Sequence, residues 1–288
     1  MSEHRVAGKE RQARTVVYAA LALLAFAANS ILCRLALREA TIDPATFASV
    51  RVLSGAAMLF MVSWTRGDAG SATVRSLALP AMLFLYAVSF SFAYTQLSAA
   101  TGALILFGAV QVTMLGAAAR SGETLLPRQW LGVFIALAGL VYLVLPGLTA
   151  PPPSAAALMG IAGVSWGIYT LRGRGMANPL AQTTINFVRA VPLVISTCIL
   201  AAQQIHVSPR GVLLAVVSGA LTSGLGYTVW YSALRGLTAT RAAVLQLAVP
   251  VIAAAGGVVF LMEPISLRLA VSALLVIGGI ALTLVGAS

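Results

Sequence analysis

The chain has 288 residues, 60% of them hydrophobic and 9% charged, with a mean hydropathy of +0.96. A soluble domain carries about 25% charged residues, so this chain lacks the charge to coat a particle in water, and the bilayer becomes the solvent for most of its surface. The net charge of +11 does not denote nucleic-acid binding, because beyond the N-terminal tail the basic residues recur in pairs between apolar stretches, as topology determinants do.

Residues 1–14 read as a cytoplasmic tail, basic through Arg5, Lys9, Arg11 and Arg14. This tail and the Ala25-Phe26-Ala27 that follows mimic a signal peptide, but cleavage there would destroy the repeat described below. A helix needs about 20 apolar residues to cross the hydrocarbon core. Ten segments meet that measure: 15–36, 44–64, 76–97, 100–119, 129–148, 155–175, 181–202, 210–234, 238–260 and 267–286. Breakers separate them at Asp43-Pro44, at Gly67-Asp68-Ala69-Gly70 and at Pro151-Pro152-Pro153. The triple proline is the midpoint, so a periplasmic linker at 149–154 divides a first unit, 15–148, from a second, 155–286. Pro192 and Pro250 fall inside spans and predict kinks.

Alternate loops differ in charge. One side holds Arg5, Lys9, Arg11, Arg14, Arg66, Arg75, Arg120, Arg128, Arg172, Arg174, Arg235 and Arg241; the other holds Arg38, Arg210 and Arg268. Arg34, Arg51 and Arg189 remain within spans. This bias predicts both termini in the cytoplasm and a multi-pass protein of a bacterial inner membrane.

The two units repeat one another. Shifted by 138 residues, Thr46 to Arg51 falls on Thr184 to Arg189 and Arg34 on Arg172; shifted by 140, Ala103, Gly116, Glu123 and Gly139 fall on Ala243, Gly256, Glu263 and Gly279. Each unit has five spans, an odd number, so the second is inverted. Inverted repeats place a site at their interface and let one bundle rock against the other. A duplicated structural protein is the alternative. Small residues such as Gly163 and Gly167 let helices approach closely, which we assign to packing within a monomer rather than to a dimer.

Nothing points to catalysis. The two histidines, His4 and His206, lie in the tail and in a loop, and no His, Cys or carboxylate cluster has metal-ligand spacing. Neither cofactor nor metal is expected. Cys33 and Cys198 read as small packed hydrophobes. All seven carboxylates (Glu3, Glu10, Glu39, Asp43, Asp68, Glu123 and Glu263) lie in tails or at span ends. Glu123 and Glu263 read as solvated interfacial charges, and the lack of a mid-span acid or histidine predicts transport without obligatory proton coupling.

The polar and aromatic residues inside spans are the candidate substrate-binding set. Tyr86, Phe90 and Tyr94 recur every four residues on span three. Trp166 and Tyr169 lie on span six, and Tyr227 and Trp230 on span eight. Asn29, Gln111 and Gln246 are amides whose exposure to lipid would be costly. Together these predict an aromatic-walled cavity for a neutral or zwitterionic small molecule with an apolar part; core packing and an interfacial belt are the bland alternatives. Arg51 and Arg189 are either clamps on a substrate anion or structural, snorkelling or bonding helix ends. Their strict repetition suits the structural role.

Two five-helix halves ending in Ala103, Glu123, Gly139 and in Ala243, Pro250, Glu263, Gly279 resemble the EamA-like drug/metabolite transporter superfamily over nearly the whole chain. The Arg34 and Arg172 helix ends and the aromatic spans look most like bacterial YddG-type aromatic amino-acid exporters. The resemblance implies an all-α basket of ten helices in which one, three, four, six, eight and nine surround a central cavity, and an exporter of aromatic and other neutral amino acids. One departure is Val110, where the family often has proline in span four. An exporter of another metabolite or drug, or a non-transporting subunit with this fold, are the alternatives.

Overall fold

The structure is a computed structural model that describes residues 2–68, 77–120, 126–145, 147, 150–173, 176–237, 242, 245–246 and 248–284. The sequence features at Arg75, Glu123, Arg174, Arg241 and Ala243 lie outside them. Among the described residues there are ten long helices: α1 (Ser2–Arg38), α2 (Pro44–Thr65), α3 (Ala78–Tyr94), α4 (Ala99–Arg120), α5 (Pro127–Val144), α6 (Pro153–Gly173), α7 (Pro179–Leu200), α8 (Pro209–Leu234), α9 (Ala248–Leu261) and α10 (Leu267–Leu284). Ala242, Leu245 and Gln246 are also helical, ahead of α9. From Ser2 onward the stretch expected as a tail is helical and continuous with the first span. Its Ala, Glu, Lys, Arg and Gln favour helix, so the apolar boundary marks where the membrane begins and not where the helix does.

Helix starts follow from local chemistry. The first N–H groups of a helix have no partner within it, and hydrocarbon supplies none. Asp43, Asn178 and Ser208 each stand before a proline and each accept the N–H three residues on, from Thr46, Ala181 and Gly211. The proline at the first helical position gives up an N–H that would have been unpaired anyway. Among the described residues, seven helices are long and apolar enough to cross a membrane, and α3, α9 and α10 give shorter apolar helices. Large apolar side chains such as Phe60, Trp64, Phe134, Phe260 and Leu274 stand exposed on the outside, a surface that suits lipid and not water.

Helix packing shows the inverted repeat directly. α2 packs on α7, α5 on α10 and α4 on α9; α6 packs on α3 and α4, and α1 on α8 and α9. Adding five to each helix number maps the first three pairs onto themselves and exchanges the last two groups. That is the pattern of two five-helix units related by a twofold axis. Corresponding loops are strapped across the halves at both ends. At one end Asp43 bonds the backbone of His206, and Ser208 that of Thr41. At the other, Asn178 Nδ2 donates to Asp68 at 2.9 Å.

The α5–α10 contact depends on two glycines that the repeat superimposes. A Cβ on Gly139 would stand 3.0 Å from Val276 N and 3.1 Å from Ser272 O, and one on Gly279 would stand 2.6 Å from both Gly132 O and Ala136 N. The space around Gly278 is open. Overpacking typically costs 1–3 kcal/mol, so we expect Gly279→Ala to lower the melting temperature in detergent and Gly278→Ala to leave it unchanged or higher. Equal melting of the two variants would contradict this close approach.

Candidate functional site

The candidate residues converge between the halves. Trp166 of α6 lies 4.6 Å from Tyr227 of α8, 5.2 Å from Tyr86 of α3 and 5.4 Å from Phe26 of α1, ring centre to ring centre. Phe26 also reaches Trp230 at 5.7 Å; Phe90 lies 5.3 Å from Tyr86 and 4.7 Å from Tyr94. These edge-to-face and tilted contacts are the preferred geometries of aromatic pairs. The amides are tied into the cluster. Gln246 Oε1 accepts from Trp166 Nε1 at 3.4 Å, and Asn29 Nδ2 donates to the Tyr86 hydroxyl at 3.2 Å. Tyr169 stacks on Trp166 at 5.7 Å and accepts from Asn186 of α7. Gln111 is buried on α4, one turn beyond Phe107.

Among the described residues, the space between these rings is small. The rings fill the interface against one another and leave a void of about 10 Å³, lined by Phe26, Ser30, Tyr86, Phe90, Leu106, Phe107 and Trp166. That is about one water's worth of space, whereas a cavity that binds benzene has about 150 Å³. Among the described residues, this void is too small to hold an aromatic ring.

Arg51 lies at the heart of this cluster. It is 1% exposed, with Nε donating to Ser223 Oγ at 2.9 Å and Nη2 to the hydroxyls of Tyr86 and Tyr227 at 3.0 and 2.9 Å. Its guanidinium lies 5.0 Å over the Tyr86 ring and 4.9 Å over Phe90, a cation–π geometry. The sequence favours a structural role, snorkelling or helix-end bonding, for both repeat-related arginines. Instead Arg51 reaches across to α3 and α8, while Arg189 is exposed. A π segment, Ser218–Leu225, makes this possible. Its wider turn brings residues five apart over one another, so Ser223 meets Arg51 while Ser218 donates to Asn29 Oδ1 at 2.6 Å. These hydroxyls and Phe26 are site residues that the sequence analysis does not single out. A mid-span arginine is a functional candidate by default, and that signal identifies the polar half of the site; a lone Phe carries no such signal.

One end of the cluster is latched. Glu263 is buried and ion-paired rather than solvated: Oε1 accepts from Arg34 Nε at 2.9 Å and Oε2 from Ala99 N–H at 2.8 Å. Arg34 also bonds the carbonyls of Tyr94 and Thr95, and Arg38 the carbonyl of Leu261. The cause is local. α9 ends with Met262 in the left-handed conformation, φ 53°, and Glu263 N–H returns to Gly257 O, which swings the carboxylate back onto the bundle. The latch joins α1, α3, α4 and α9, all four of which pack directly on the other half.

Comparison with known proteins fits this architecture. The profile of the EamA-like transporter family matches twice, over residues 13–145 and 153–285. The chain belongs to the EamA-like transporter family. An uncharacterized protein of Pseudomonas aeruginosa is 48% identical over 271 residues, 94% of each chain. An uncharacterized transporter of Archaeoglobus fulgidus is 30% identical, over 94% of this chain and 97% of its own. A crystal structure at 20% identity superimposes with a TM-score of 0.64 over 91% of this chain and 95% of its own, which shows a shared fold.

The transporter also has a larger groove, about 680 Å³, between α4, α9 and α10. It is lined by Leu104, Val251, Ile265, Leu274, Ile277 and similar groups with no polar side chain. Such a lining has nothing to orient a metabolite; its chemistry matches an acyl chain. Among the described residues no three His, Cys, Asp or Glu side chains come together to hold a metal.

Glu263→Gln leaves the Arg34 guanidinium without its counter-charge. Breaking a buried pair costs about 3–5 kcal/mol, and water at the bundle end reduces this to roughly 1–3 kcal/mol. Detergent melting of Glu263→Gln, Arg34→Gln and the double variant should give a coupling energy of about 1 kcal/mol or more. Strict additivity of the two single effects would mean that the latch holds nothing.

Proposed function

We propose that this transporter exports small metabolites with an aromatic or apolar part, aromatic and other neutral amino acids foremost, by alternating access through the site between its halves. The observation that carries this reading is the aromatic cluster itself. α1 and α3 of one half and α6 and α8 of the other build it, well inside the spans. A site at an inverted-repeat interface is opened to either side by rocking one unit against the other. The Arg34–Glu263 latch is one of the contacts that must break for opening at its end.

The buried carboxylates among the described residues, Asp43 and Glu263, both lie beyond helix ends, which favours facilitated movement. A second reading, export coupled to protons through Glu263, is favoured by that residue's burial. Proteoliposomes separate them. Labelled phenylalanine and leucine should show counterflow with no imposed pH gradient, and arginine should not. Absence of counterflow for every neutral amino acid would overturn the substrate class, and flux that depends on a pH gradient would overturn facilitation.

The loop bias of Lys and Arg supports an inner-membrane protein with cytoplasmic termini. A Pro153→Cys variant should then react with an impermeant thiol reagent added outside the cell. Labelling from the cytoplasmic side alone would reverse the orientation.

A further inference from the structure

The charge inside the site is not balanced. Arg51 spends Nε and Nη2 on three hydroxyls, and Nη1 is buried with no partner. Hydroxyls solvate a guanidinium but do not cancel its charge. The buried carboxylates among the described residues are engaged elsewhere: Asp43 accepts the N–H groups of Thr46 and His206, and Glu263 holds Arg34 and Ala99. Asp43 also stands eight residues back along α2, about 12 Å at the helical rise. An uncompensated buried charge is costly, and an arriving anion offsets that cost.

We infer that Arg51 is the carboxylate anchor of the substrate site. A carboxylate beside an aromatic or apolar group is the obligatory feature of the ligand, and the ammonium of an amino acid is dispensable. This rests on reading the aromatic cluster as the substrate site. The free Nη1 is a donor of the kind that binds carboxylates most strongly. Tyr86 and Phe90, the rings beneath the guanidinium, also line the void. The place for a ring and the place for an anion therefore share two walls, and parting the cluster to admit the first exposes Nη1 to the second.

Electrostatics then sorts the ligands. A monoanion brings the site to neutrality. A zwitterion sets its carboxylate on Arg51 and leaves its ammonium to ring faces and to amide oxygens such as that of Gln246. An amine without a carboxylate adds a second cation beside an unbalanced one, which is repulsive in a low-dielectric site.

The test is binding to the purified protein in detergent, read by melting shift and tryptophan fluorescence, with 3-phenylpropionate, L-phenylalanine and phenethylamine. We expect saturable binding of the first two and at least about tenfold weaker binding of phenethylamine. Arg51→Met keeps the volume and removes the charge. It should bind 3-phenylpropionate on the order of 10- to 100-fold more weakly. Phenethylamine binding as tightly as phenylalanine overturns the anchor, and so does undiminished 3-phenylpropionate binding by Arg51→Met. Should Arg51→Met melt far lower, the ligand series on the parent protein decides alone. If none of the three ligands binds, the aromatic reading of the site falls and the anchor falls with it.

Discussion

A guanidinium buried inside a membrane span has to be solvated by the protein, because hydrocarbon offers it nothing. Much of this site follows from that demand on Arg51. Its donors draw Tyr86 from α3 and Ser223 and Tyr227 from α8. Tyr86 in turn takes a hydrogen bond from Asn29 of α1, whose oxygen gathers Ser218 and Thr222. Four helices from both halves are thus bound by one polar network. The aromatic rings close over it, and the π segment of α8 is the local distortion that lets one helix serve both Asn29 and Arg51.

The scaffold is symmetric and the site is not. Helix packing maps onto itself when each helix is advanced by five, and Gly139 and Gly279 do the same work on either side of the α5–α10 contact. Yet Arg51 is buried and its repeat partner Arg189 is exposed. Across the axis Asn186 takes the inward position instead, bonding the Tyr169 hydroxyl. A twofold frame gives two equivalent ways to open. An asymmetric interior would give the proposed substrate, with one charged end and one apolar end, a single way to lie.

Much of this was legible in the sequence, for physical reasons that can be named. Span length and apolar composition gave the helices, because a bilayer tolerates little else. The Arg and Glu pairs that recur at fixed shifts gave the repeat. Mid-span aromatics and amides marked most of the cluster, since few positions in lipid can accept them without a partner. The burial of Glu263 was not legible, because it depends on a left-handed Met262, a residue with no special preference for that conformation. The divergence of Arg51 and Arg189 was hidden for a related reason: they share a register, and the hydroxyls that hold Arg51 come from other helices. The helical start of α1 was missed because the apolar measure registers lipid and not backbone. The spacing of the rings was equally out of reach, since composition specifies which rings line a site but not how far apart they stand.

With Arg51 as anchor, an aromatic carboxylate lies within the cluster and its anion on that guanidinium. The most direct measurement is a structure of the protein bound to 4-bromo-L-phenylalanine, with the bromine located by anomalous scattering. The expected result is bromine among Phe26, Tyr86 and Trp166, the carboxylate within hydrogen-bond distance of Arg51, and the rings parted around the ligand. Bromine in the apolar groove between α4, α9 and α10, with the cluster still closed, would contradict it.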